Sequence, residues 1–136
     1  MFYYLIGLGS NIQPQKHLTE AIHHLAKEVS ILCQSQVLIN PPCGNSFHYE
    51  FHNQLLLIQS AYPQERLKSR LEGIELSLGR EVKSPARKLN DRTIDIDIIG
   101  QSTTASALFS LPLEESYNRE ILAMWPEIQQ YSTNII

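Results

Sequence analysis

Arg92-Thr93-Ile94-Asp95-Ile96-Asp97-Ile98-Ile99 alternates apolar and acidic side chains through its centre. In an extended strand successive side chains point to opposite faces, so Ile94, Ile96 and Ile98 share one face and Asp95 and Asp97 the other. The reading predicts a strand over Thr93–Ile99 with one face buried. Working back from it, Pro63 opens a predicted helix whose stripe is Leu67, Leu71, Ile74 and Leu78, with Gly79 as its C-terminal cap. Phe51–Ser60 reads as a strand with Phe51, Asn53, Leu55 and Leu57 on one face. Asn40-Pro41-Pro42-Cys43-Gly44 reads as a rigid loop that ends a strand over Ser30–Ile39. Before that, Leu18, Ala21, Ile22 and Leu25 form one stripe of a helix begun at Pro14, and Phe2–Gly9 is a strand running into a turn.

The resulting order is strand, helix, strand, strand, helix, strand, the split βαβ pattern of a ferredoxin-like α+β sandwich. An antiparallel sheet with its helices packed on one face is the expected architecture. Beyond Gly100 only Glu114–Ala123 carries a helical pattern. With 136 residues and no repeat or linker, residues 1–136 are read as a single domain.

A 43% hydrophobic and 18% charged composition is that of an ordinary globular protein. The net charge of −3 argues against a broad nucleic-acid surface. No apolar run approaches the roughly 20 residues of a membrane span. Met1–Ile6 lacks a basic leader and reads as strand rather than signal peptide. Cys33 and Cys43 form no CxxC pair, so reduced thiols and a cytoplasmic location are expected.

Local charge is less even. Arg80, Lys83, Arg87, Lys88 and Arg92 are five of 11 basic residues, and they directly precede the acid pair. Two strand carboxylates about 7 Å apart on one face can both reach paired metal ions. Oxygen donors of this kind suit magnesium, which takes further oxygens from substrate phosphates. Acids and bases side by side match a metal–phosphate ligand. Glu75 lies at the edge of the second helix's stripe, pointing partly inward. Other motifs fail: there is no GxxxxGK[ST], and Ile12 stands where Gly7-Leu8-Gly9 would need a third glycine. The five histidines share no zinc-like spacing with the cysteines.

Five segments in order resemble the 6-hydroxymethyl-7,8-dihydropterin pyrophosphokinase family: Leu5–Asn11, Asn40–Gly44, Phe51-His52-Asn53, Glu75 with Gly79-Arg80, and Arg92–Ile98. The resemblance implies transfer of pyrophosphate from ATP to the hydroxymethyl oxygen of the pterin, releasing AMP, by a monomer that uses two magnesium ions. It implies Asp95 and Asp97 as metal ligands and Arg80 and Arg92 as catalytic groups on the phosphates. Asn40, Pro41, Cys43, Phe51 and Asn53 would bind the pterin. Glu75, Arg80, Lys83, Lys88, Arg92 and Arg119 would bind the nucleotide. No nucleic-acid or membrane partner is implied.

The chain departs from the family pattern at several places. Leu89, Asn90 and Asp91 precede Arg92 where the family has Gly-Pro, usually after Trp, and Asp91 adds a third negative charge near the acid pair. Leu113 follows Pro112 in place of a nucleotide-binding histidine. Ile121 stands where a second aromatic closes over the pterin. A second reading is therefore a divergent paralogue that binds pterin or nucleotide with weak or no turnover.

Overall fold

The computed structural model describes residues 1–40, 50–80 and 91–128. Its elements run β1 (Phe2–Ser10), α1 (Pro14–Leu25), β2 (Ser30–Gln34), β3 (Leu38–Asn40), β4 (Phe51–Ser60), α2 (Gln64–Ser77) and β5 (Asp95–Ser102). Two short helices, α3 (Ala105–Leu108) and α4 (Ser116–Ala123), and a 3-10 turn at Pro126–Ile128 follow. The strands form one antiparallel sheet in the order β2-β4-β1-β5, with β3 also pairing to β4. That is the expected split βαβ topology, an open α+β sheet. Among the described residues no helix is long and apolar enough to cross a membrane.

The predicted strand over Ser30–Ile39 is two pieces. Ser35 interrupts it: its amide donates to Leu55 O at 2.9 Å, its hydroxyl accepts from Leu55 N at 2.8 Å, and its carbonyl accepts from Gln54 Nε2 at 2.9 Å. The side chain takes over a ladder bond, so the chain bends while the bonding continues. The fourth expected strand also starts later and runs longer, from Asp95 to Ser102.

The helices do not pack on one face alone. Tyr4, Ile6, Leu8, Leu56, Ile58, Ile94 and Ile96 meet Leu18, Ala21 and Leu25 of α1 and Leu67, Leu71 and Ile74 of α2. On the opposite face Leu5, Leu55 and Leu57 pack against Leu108, Leu113, Ile121, Trp125 and Ile128. Leaving the three sheet leucines in water would cost about 1.5–3 kcal/mol each, so the last third of the chain folds under the sheet. Its cover is incomplete toward one end, and the candidate site lies there.

Candidate active site

Asp95 and Asp97 project from the second face of β5, as the alternation requires, while Ile94 and Ile96 enter the upper core. The register sets their neighbours. Gly9 is opposite Asp95 on one side and Asn53 on the other, and Gly7 is opposite Asp97 and Leu55. Two glycines in the central strand thus leave a trench between an acidic edge and an amide-bearing strand. A Cβ on Gly9 would lie 3.0 Å from Asn53 Oδ1, and one on Gly7 would lie 2.9 Å from Ile99 Cδ1. The register of β5 slips between Leu5 and Ile6 of β1, so Ile99 is bulged out of the pairing beside the trench.

The trench opens into a cleft of about 340 Å³. Its floor is Gly7, Gly9, Asn53, Asp95 and Asp97, and its far wall is Pro112–Glu115 with Tyr117 and Asn118 of α4. Burial pushes the Asp97 carboxyl from 3.8 up to about 7, helped by the charge and hydrogen bond of Asp95 and the charge of Glu75, against Arg80. Asp97 is itself exposed at its outer side, so the shift reflects the protein atoms crowded around the carboxyl rather than its removal from solvent. Burial first, then Glu115, Asp95 and Asp97, pushes the Tyr117 phenol up to about 12. Burial is the main cause of both shifts, and the neighbouring carboxylates add a smaller part that a nearby positive charge would offset. Hard carboxylate oxygens on a shared face fit magnesium. Among the described residues no group of three or more His, Cys, Asp or Glu side chains gathers into a metal site.

The two arginines are placed differently. Arg80 is 7% exposed. Its Nη1 donates to Glu75 Oε2 at 2.9 Å and to Asp95 Oδ1 at 2.6 Å. Gly79 at φ 91° turns the chain back under α2 so that the Arg80 side chain can do so. Arg92 lies 3.6 Å from Asp95 Oδ2, with its guanidinium 5.5 Å from the centre of the Phe51 ring. Phe51 therefore stacks with Arg92 and does not line the cleft. Asn53, expected beside it on the same face, does line it.

Glu75 is buried, 3% exposed, and lies outside the cleft lining. Arg119 Nη1 donates to the carbonyls of Leu113 at 2.7 Å and Glu114 at 2.9 Å, which pins the cleft wall from behind. Asn40 ends β3 opposite Phe51, and its Nδ2 is buried without a hydrogen-bond partner among the described residues. Pro41, Cys43, Lys83, Lys88, Leu89 and Asn90 lie outside the described residues.

Two of the departures resolve locally. Ile121 is 3% exposed in the lower core and lines no part of the cleft, so it is not a position from which a side chain closes over a ligand. Asp91 turns to Asn11, whose Nδ2 donates to Asp91 Oδ1 at 2.6 Å. Asn11 Oδ1 also accepts from Arg92 N at 2.7 Å, and Asn11 N donates to Arg92 O at 3.1 Å. Asn11 thus clamps the entry to β5, and Asp91 is part of that clamp.

Sequence reading missed Asn11, the two trench glycines, Tyr117 and Asn118. Gly7 and Gly9 were visible as a pair within the first strand, but only as a fingerprint that lacks its third glycine. Tyr117 and Asn118 carried no signal, because their position depends on how α4 docks.

Comparison with known proteins agrees with the segments that suggested a resemblance. Residues 5–130 match the family model for 7,8-dihydro-6-hydroxymethylpterin-pyrophosphokinase. The chain is 34% identical over 121 residues to the bifunctional protein FolKE of Lactococcus lactis, covering 84% of this chain and 33% of that one. It is 33% identical over 101 residues to the 2-amino-4-hydroxy-6-hydroxymethyldihydropteridine pyrophosphokinase of Campylobacter jejuni, covering 70% of this chain and 60% of that protein. It is 28% identical over 124 residues to the enzyme of the same name from Porphyromonas gingivalis, covering 88% and 84%. The chain therefore spans a third and three fifths of the first two relatives. With the match running across every element that builds the cleft, this chain belongs to the 7,8-dihydro-6-hydroxymethylpterin-pyrophosphokinase family.

Proposed function

We propose that this protein transfers the terminal diphosphate of ATP to 6-hydroxymethyl-7,8-dihydropterin, giving AMP and the pterin diphosphate, in a magnesium-dependent reaction in the cytoplasm. The observation that carries the reading is the pairing of Asp95 and Asp97 on one side of Gly7 and Gly9 with Asn53 on the other. Cation-binding carboxylates and a carboxamide suited to a heterocycle's polar edge thus line one cleft.

In this reading Asp95 and Asp97 hold magnesium, with two ions as the family expectation. Bound there, magnesium neutralises phosphate charge and orients the transferring group. Asn53 presents donor and acceptor to the pterin edge across Gly9, and the Asn40 amide is a second donor at that end. The pterin hydroxymethyl oxygen attacks the β-phosphorus and gives up its proton to solvent, the bond from that phosphorus to the α-phosphate oxygen breaks, and AMP leaves with that oxygen. Arg92, braced on Phe51, offers its guanidinium to the phosphates, and Arg80 lies against Asp95 on its buried side. No covalent nucleophile is required; position and charge carry the step. Lys83, Lys88 and Arg119 remain proposed nucleotide contacts, Arg119 through the wall it holds. A monomer suffices for this chemistry.

A coupled assay for AMP release with ATP, magnesium and hydroxymethyldihydropterin tests the reading. Turnover that depends on all three supports it. Binding of pterin and MgATP without AMP release would instead establish the divergent binding protein, for which Leu113, Glu114 and Glu115 in the wall are the favouring feature.

A further inference from the structure

Glu75 makes contacts that a nucleotide ligand does not need. Its carboxylate sits in the interior, 3% exposed, behind the strand that carries the acid pair. Oε2 accepts from the backbone amide of Ile96 at 2.7 Å and from Arg80 Nη1 at 2.9 Å. Ile96 stands between Asp95 and Asp97, on the edge strand of the sheet. The same Arg80 Nη1 reaches Asp95 Oδ1 at 2.6 Å. One buried carboxylate therefore holds both the backbone between the two acids and the cation that touches the first of them.

The charge arithmetic gives this arrangement a consequence. A guanidinium cannot give up its proton, so a buried arginine stays charged and attracts whichever carboxylate is within reach. Facing Asp95 alone, Arg80 would neutralise it and compete with any metal ion for its oxygens. Glu75, fixed in place by the Ile96 amide, supplies the opposing charge at nearly the same distance.

Resting on the magnesium-dependent reading above, we propose that Glu75 is a positioning residue: it is the internal counter-ion of Arg80 and leaves the Asp95 carboxylate charged and oriented for a divalent cation. Its partners are Arg80 and the Ile96 amide, not nucleotide or metal ion. A buried charge pair contributes little net stability against a neutral replacement, while removal of one partner is costly to the other. That asymmetry suits a role in tuning Asp95 better than one in holding the fold.

The test measures Mn2+ binding directly, by calorimetry and by the loss of free-ion paramagnetic resonance signal, in the protein without substrates. Glu75→Gln keeps an acceptor for the Ile96 amide and removes the charge. It should weaken Mn2+ binding about tenfold, roughly the effect of 1.4 kcal/mol. The double variant Glu75→Gln/Arg80→Gln should recover most of that loss, because the competing cation is gone. A purely structural role predicts the opposite, further loss in the double variant. Unchanged Mn2+ affinity in folded Glu75→Gln, or no recovery in the folded double variant, overturns the proposal. Should Glu75→Gln alone fail to fold, Arg80→Gln decides: binding at least as tight as the parent's supports the proposal, and weaker binding in a folded protein refutes it. If the parent itself binds no divalent cation, the magnesium reading of the site falls, an outcome distinct from a parent that binds and a variant that does not differ.

Discussion

Asn53 and Asp95 are both sheet partners of Gly9, one from β4 and one from β5, and their side chains stand on either side of a residue that has none. The side-chain alternation of three strands puts an amide, a gap and an acid in one row. The next row keeps the gap and the acid in Gly7 and Asp97, with Leu55 in place of the amide. The missing side chains are what separate the amide from the acids and give a flat ligand a floor of backbone.

Gly9→Ala tests that gap. The new methyl would sit 3.0 Å from Asn53 Oδ1 and must push the amide aside. The expected result is pterin affinity reduced about tenfold or more, the loss of roughly one well-placed hydrogen bond to a polar ligand. MgATP affinity should change little, and the melting temperature by a few degrees at most. Separate titrations of the two ligands check this; equal loss of both would place the methyl's effect on the acids instead.

Arg92 stacks on Phe51 and lies 3.6 Å from Asp95, with its backbone clamped by Asn11. Arg92→Lys keeps the charge and gives up the planar fork and the stacking surface. Turnover should fall about 10²–10³-fold, the usual effect of losing one preorganised electrostatic contact. Steady-state kinetics with saturating substrates reads it directly. Normal turnover would assign Arg92 to the clamp alone.

The elements were legible because β1 and β4 are apolar runs rich in strand formers and buried on both faces, α1 and α2 carry a helical period, and β5 alternates. The acid pair was legible for the same reason: alternation alone puts Asp95 and Asp97 on one face. What escaped reading depended on contacts distant in sequence. Ser35 breaks a strand because its hydroxyl reaches Leu55. Asp91 looks like an unwelcome charge until Asn11, at the other end of the chain, is found against it. The second face needed a cover, but nothing local in residues 103–128 shows which side chains turn inward and which line the cleft. Tyr117 and Ile121 are one helical turn apart, and the fold sends the first to the cleft and the second to the core.

Ile121→Phe follows from that division. A residue aligned with a lid aromatic would gain ligand affinity on enlargement, but Ile121 is packed with Leu5, Leu55, Leu57 and Trp125. Extra volume there should destabilise the fold by about 1–3 kcal/mol and leave pterin affinity unimproved. Tyr117→Ala, by contrast, should weaken ligand binding while costing less stability, since Tyr117 is half-buried in the cleft wall. Denaturant melts and pterin titrations on both variants separate the two positions.

Asp97 should give the metal-free protein a pH-dependent contribution to its stability. Burial, the charge and hydrogen bond of Asp95 and the charge of Glu75 raise its folded-state pKa from 3.8 to about 7. A raised carboxyl pKa means the folded state holds the proton more tightly than the unfolded chain does. The favourable contribution is therefore full below the unfolded value of 3.8, declines as pH rises, and is gone above about 7. Asp97→Asn keeps the shape and has no proton to lose, so its stability should not show that decline. The difference in melting temperature between variant and parent should grow in the variant's favour from pH 4 to pH 7 and then level off. Magnesium replaces the missing positive charge, so it should raise the parent's melting temperature more at pH 8 than at pH 5. In Asp97→Asn that gain should be largely absent at either pH. A parent and variant that track each other across this range, with magnesium acting on both alike, would place the proton elsewhere and remove Asp97 from the cation site.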